Sequence, residues 1–356
     1  MNAANFSWLA RAAVAGLLCL CLVQTATARV VDGLYSARIA VSDRSQSTFE
    51  AAVREGLAEV LVKITGSREV LALPALERAV RDAREFLQQF SYRSTGESNE
   101  LALELSFSSD SVRNLVIEAG APLWTANRPQ VLVWLAIDEP QGRRLVGAES
   151  HPALVDAMGH EFQRRGLPLL LPILDIEDVV AVSPGGVWRQ DLPEIMQGSA
   201  RYPAGQVLIG RVAALSGGRW LGDWVLYDGR NRAERAVNAD SASAFLEEGV
   251  DLAADVVAGR FALTSSLTGG NAGSRLEVSG VDSYADYAAI VSWLESLELV
   301  EYANLEWLRD DRLTLNIVAK TDLQSLRPLI ELNKRLIPDA RRGESGDLVY
   351  TWQKTN

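Results

Sequence analysis

Beyond residue 28 the chain holds two histidines, His151 and His160, and no cysteine, because Cys19 and Cys21 both fall in the opening stretch. A helical zinc-protease motif needs two histidines four apart with a glutamate beside the first. His151 and His160 are nine apart, and His160-Glu161 has no second histidine in register. Both are expected as surface or capping residues. A serine hydrolase of the common type needs a G-x-S-x-G elbow, which is absent, and Ser183-Pro184-Gly185-Gly186 reads as a loop. Gly269-Gly270 lacks the lysine and hydroxyl of a phosphate loop. Two carboxylates alone suffice for glycoside hydrolysis. Asp175, Glu177 and Asp178 follow an apolar run, and the carboxyl end of a strand is where α/β sites form. Acids at a helix start also stabilise its dipole, and this reading carries more weight. Glu247, Glu248 and Asp251 suit the first turns of another helix, and Asp310-Asp311 suits a hairpin turn. Trp220, Trp224 and Leu226 share one face of a strand; a sheet face under a helix explains them better than a sugar-gripping stack. The other face, Leu221, Asp223, Val225 and Tyr227, is also largely apolar. No catalytic, cofactor-binding or metal-ligating residue is assigned.

These residues lie in a chain of 356 residues with 48% hydrophobic and 23% charged residues, a globular composition. The formal charge is −11. Nucleic-acid binding needs a concentrated basic surface, so no nucleic-acid partner is expected. Residues 1–28 carry one charge, Arg11, then an apolar run from Ala12 to Val23, then Ala26-Thr27-Ala28. This is the plan of a secretory signal peptide cleaved after Ala28, and the run falls short of the roughly 20 residues that span a bilayer. A soluble, cysteine-free periplasmic protein is expected, with no integral membrane segment and no cofactor.

The pattern of elements divides the remainder. In 29–125, a strand at 34–41 is followed by a helix opening on a Ser47–Glu50 capping box and closing at Gly66. Pro74 opens a second helix, strands follow at 89–94 and 100–107, and a helix covers 110–119. In 126–263, VLVWLAID (131–138), LPLLLPIL (167–174) and QVLIGRVAAL (206–215) read as strands buried on both faces. A helix covers 152–165, and one or two short helices fill 175–200. Strands at 219–229 and 232–238 complete a meander before a helix at 241–262, whose buried face includes Phe245, Leu252, Val256 and Val257. Residues 264–273, small and glycine-rich, read as a flexible linker. In 274–356 the order β-α-β-β-α-β is the ferredoxin-like split motif, with Pro328 inside its second helix. The fold class is α/β (α+β): three small domains of mixed sheet plus helices.

QVLIGRVAAL, WLGDWVLYDG (220–229) and DLAADVVAGRFA (251–262) give the middle unit its likeness to a module of bacterial envelope proteins. It resembles the amino-terminal domain of TolB, the middle domain of the flagellar H-ring protein, the curli-secretion lipoprotein and the lipoprotein activator of penicillin-binding proteins. EGLAEVLVKITGS (55–67), ANRPQVLVWLAID (126–138) and GDWVLYDG (222–229) make the whole chain similar to a family of uncharacterised exported proteins of Gram-negative bacteria. The resemblance implies a periplasmic location and no activity. The expected function is non-enzymatic: contact with an envelope protein partner in assembly or regulation of a cell-envelope complex, through open sheet edges. The alternatives are a carboxylate-dependent enzyme on cell-wall material, with Asp175 and Asp178 as its first candidates, and a module binding a small ligand between domains.

Overall fold

The computed structural model describes residues 29–95, 100–215, 217–264, 274–339 and 348–354. The expected signal peptide lies outside them, as do residues 265–273 of the expected linker. Apolar residues at helical spacing from Phe49 to Ile64 bury one side of α1 (Gln46–Thr65), which lies on β1 (Ser36–Val41). Its cap is Ser45, whose hydroxyl accepts from the Thr48 amide at 3.3 Å. The expected Ser47–Glu50 box is not formed, because the helix starts earlier and Glu50 accepts from the Gln46 side chain. Gly66 ends the helix at φ 79°. There follow α2 (Pro74–Arg81), β2 (Leu87–Thr95), β3 (Glu100–Phe107) and α3 (Ser109–Glu118), giving an antiparallel sheet β1-β3-β2.

In the middle unit β4 (Val131–Glu139) pairs with β5 (Gly142–Leu145), and α4 (Pro152–Arg165) follows. Three short helices then occur where one or two are expected: α5 (Ile176–Ala181), α6 (Pro184–Arg189) and α7 (Leu192–Ser199). The meander of β6 (Gln206–Ala214), β7 (Trp220–Tyr227) and β8 (Arg232–Ala239) leads to α8 (Ala242–Phe261). The sheet order is β8-β7-β6-β4-β5, with β4 and β6 parallel. Helices α4 and α8 cover one face. On the other, Val182 at the end of α5, Val187 of α6 and Ile195 of α7 pack on Leu132, Trp134 and Ile209. Of the expected strand 167–174, only Leu169–Leu170 pairs with the sheet. Pro168 and Pro172 supply no amide hydrogen, and Leu174 turns to φ 58°. Val256, expected inside, is exposed.

The last unit comprises β9 (Ser274–Ser279), α9 (Tyr284–Glu295), β10 (Val300–Arg309), β11 (Arg312–Ala319), α10 (Leu323–Ile330), β12 (Leu336–Pro338) and β13 (Leu348–Trp352). Ser283 caps α9 by accepting from the Asp286 amide, and α10 ends two residues after Pro328. The order β10-β11-β9-β13-β12 keeps the expected split motif with one strand more. β13 slots between β9 and β12, parallel to β9 and antiparallel to β12.

Short pairings link these units. Arg29–Val30 pairs with Asn127–Arg128, and Pro122–Leu123 with Leu263–Thr264. Glu298 accepts from the Ala126 amide, and the Asn127 side chain donates to the Ser296 carbonyl. One apolar core runs through all three sheets.

Candidate functional site

The acids after residue 174 stand on a turn that is pinned from below. Asp175 caps α5, accepting from the Asp178 amide at 3.0 Å, and takes a forked pair of bonds from Arg201 at 2.8 and 3.0 Å. The Arg201 guanidinium, with the Asp178 amide, holds the Asp175 carboxyl down at about 2. Asp178 is fully buried and accepts from the Leu174 amide, Arg201 and the Tyr202 hydroxyl. Burial, followed by the Asp178 carboxylate, pushes the Tyr202 hydroxyl up to about 12. That hydroxyl also accepts from the Ile173 amide. Asp175 and Asp178 are thus brought together, as a clamp on one arginine. A glycosidase needs one carboxyl with a raised pKa as its acid, and Asp175 moves the other way.

The clamp presents apolar side chains outward. Ile173, Ile176, Val179 and Val180 are 72, 84, 55 and 82% exposed. Val182, on the inner side, is fully buried. β-Branched residues are indifferent helix formers, so neither local propensity nor core packing accounts for Ile176, Val179 and Val180 on the outer side of α5. Glu177 stands exposed beside them and faces Arg201 at 3.6 Å.

At the carboxyl end of β4 the structure assembles a line that the sequence does not announce. His151 Nε2 lies 3.3 Å from Glu139 Oε1, and Nδ1 lies 2.9 Å from Ser150 Oγ. The order serine, histidine, carboxylate is that of a hydrolase triad. Ser150 Oγ, however, accepts from the Gly147 amide and lies against the Leu145 and Gly147 carbonyls at 3.2 and 3.3 Å. Its oxygen closes the loop that starts α4. The one sequence signal is adjacency: Ser150-His151-Pro152 opens a helix. His160 lies on α4, away from this line in sequence and outside its hydrogen bonds.

Glu247, Glu248 and Asp251 do lie near the start of α8, but they also join two units. Asp251 accepts from Arg68 at 2.7 Å, Arg164 at 2.8 Å and Arg165 at 2.9 Å. Arg165, buried, also binds Asp255 and the Gly66 carbonyl. Arg235 bridges Glu248 and Asp255. A polar cleft of about 750 Å³ opens above these residues. Beneath them Arg128 is fully buried, and all five of its N–H groups are used. They donate to the carbonyls of Thr125, Arg165, Gly166, Lys63 and Trp124 at 2.8–3.2 Å. The Trp124 ring lies 3.8 Å below the guanidinium.

Trp224 is buried against Phe245 and donates to its carbonyl at 3.0 Å; Trp220 is half-buried beside the same ring. Asp310 takes φ 55° in the β10–β11 turn. The open edge of β10 exposes Tyr302, Leu305 and Leu308. Two bulges interrupt that edge, and Glu295 accepts from its Ala303 amide. Bulges and charges are the devices that keep an edge from pairing. Among the described residues no group of three or more His, Cys, Asp or Glu is placed to hold a metal ion, and no helix is long and apolar enough to cross a membrane.

Residues 28–125 match the model of a family described as a domain of unknown function, DUF8605. No curated protein matches the chain. A crystal structure of a formyltetrahydrofolate deformylase from Pseudomonas putida KT2440 aligns over 54% of this chain and 88% of that one, at 11% identity and a TM-score of 0.16.

Proposed function

We propose that this protein acts by contact with another protein, in the periplasm, in the assembly or regulation of a cell-envelope complex. The observation that carries the reading is the aliphatic group Ile173, Ile176, Val179 and Val180, displayed to solvent on a rigid base. Exposed apolar clusters of this kind mark interaction sites. A rigid base lowers the cost of ordering on binding. Glu177 at the rim and the net charge of −11 select a partner segment of apolar side chains flanked by lysine or arginine. The same charges disfavour an anionic lipid surface. The periplasmic setting rests on residues 1–28 and on the likeness to exported envelope proteins.

The test is a photocrosslinking amino acid in place of Val180 in the full chain, in living cells. One discrete adduct with a different protein is expected, lost when Ile176→Asp is added while the fold, by circular dichroism, is unchanged. The same probe in place of exposed Arg230 is expected to give none. No adduct at 180, or one with the mass of a second copy, would overturn the reading.

A further inference from the structure

The helices of the last unit cover one face of its sheet, where Leu313, Leu315 and Ile317 of β11 are buried. Alternation along a strand sends the residues between them to the opposite face, and the register adds their cross-strand partners. Thr314 lies between Trp307 of β10 and Glu277 of β9, Asn316 lies between Asn304 and Arg275, and Val318 lies beside Tyr302. This face is open: Tyr302 is 60% exposed and Trp307 39%, and Asn304 is exposed between them. Its charges cancel in pairs. Arg275 donates to Glu306 at 2.5 and 2.8 Å, and Arg312 stands 3.9 Å from Glu277.

At the centre of the face two polar oxygens have no partner. Thr314 is 4% exposed, yet its Oγ1 is shut off from solvent without a hydrogen bond, and so is Oδ1 of Asn316. Buried polar groups without partners are costly, and these two occupy successive positions of one strand face. Asn316 Oδ1 only accepts, whereas the Thr314 hydroxyl donates and accepts. An anion leaves the amide oxygen unsatisfied; ligand hydroxyls answer both. The cross-strand neighbours Trp307 and Arg275 are exposed side chains, which turn between rotamers within nanoseconds, so the two oxygens are covered but not locked away.

We infer that this face binds an uncharged, β-linked glycan chain. Its sugar rings set their apolar C–H sides on Tyr302 and Trp307, and its hydroxyls bond to Thr314 and Asn316. The two aromatic residues stand opposite Val318 and Thr314, about 13 Å apart along the strand, room for more than one sugar. A β-linked chain is an extended ribbon that follows a sheet, whereas an α-linked one coils away from it. The paired charges favour a neutral chain over a sulfated or acidic one. The inference is independent of the contact role proposed above and shares no residue with it. The probe is cellohexaose, titrated calorimetrically into the full chain, with maltohexaose in parallel. Saturable binding of cellohexaose is expected, at least tenfold tighter than that of maltohexaose. Trp307→Ala and Tyr302→Ala are each expected to weaken it about tenfold, the worth of one good aromatic contact, with circular dichroism unchanged. Thr314→Val separates site from scaffold: it removes the unpaired hydroxyl at constant shape, so the urea midpoint rises while cellohexaose affinity falls at least threefold. Absence of cellohexaose binding, equal binding of maltohexaose, or full affinity in Trp307→Ala or Thr314→Val would each overturn the proposal.

Discussion

Single side chains carry much of the organisation of this molecule, and Arg128 carries the most. Two helix ends leave carbonyls without helical partners, and one planar group with five donors answers Lys63 on α1, Arg165 at the end of α4 and the capping Gly166 together. Burial pushes the guanidinium down, to about 9; helix carboxyl ends and the Trp124 face offset that cost. An ammonium is a point charge with three donors and cannot reproduce the fork. Arg128→Lys leaves at least two of the five carbonyls without a donor and is expected to lower stability by about 3 kcal/mol or more, at about 1.5–3 kcal/mol for each lost bond to a charged group, read as a shift in urea midpoint at constant slope. Asp175 gives a pH signature. Its carboxyl titrates near 2 in the fold, against about 3.9 for a free aspartate. A depressed folded value favours the fold at every pH above the free value, and the contribution is lost as pH falls from about 4 to about 2. Comparison of the chain with its Asp175→Asn variant by thermal melting is expected to show a constant gap above pH 5 that closes across that window.

At the scale of elements, close approach decides more than propensity. Helix α8 lies on β7 at Gly249, where a Cβ would collide with the Trp224 ring. Trp224 cannot retreat, because Phe245 packs on it and accepts its indole hydrogen. Gly249→Ala gains about 1 kcal/mol of helix propensity but overpacks the core, at about 1–3 kcal/mol. A net loss of stability is expected, with a changed near-ultraviolet tryptophan signal; a more stable variant with an unchanged spectrum would refute this packing argument. Helix α5 is the reverse case. At six residues it is too short to hold by itself, and the Arg201–Asp175–Asp178–Tyr202 clamp supplies what length does not.

At the scale of the whole molecule the polar seam makes the first two sheets one mechanical unit. Asp251 joins Arg68, from the loop after α1, to Arg164 and Arg165 of α4, and the apolar core continues beneath. Asp251→Ala leaves buried Arg165 with half its carboxylate partners. Hydrogen exchange is expected to show the amides of Leu103 and Val133 losing protection by the same factor in that variant. Loss confined to one sheet would show that the seam does not couple them.

The sequence by itself determined the fold class, the order of most elements and the ends of the helices that close on glycine; the helix opened by Pro74, expected to carry its stripe to Leu87, ends at Arg81, and Leu87 begins a strand. Hydrophobic periodicity and glycine act within a few residues, so α1 ends at Gly66 and β4 is buried on both faces as expected. It also determined that Asp175, Glu177 and Asp178 belong to a helix start, since an N-cap is a local property. Local patterning failed at 167–174, where eight nearly all-apolar residues look like a core strand. Two prolines withhold amides from the ladder, and Ile173 ends up in solvent. Only the tertiary structure decided what lies between units. Arg201 meets Asp175 across 26 residues, Arg68 meets Asp251 across 183, and Arg275 comes to lie opposite Asn316 in the last sheet. Such contacts leave no periodic trace in the chain, because each partner satisfies its own local element equally well with or without the other.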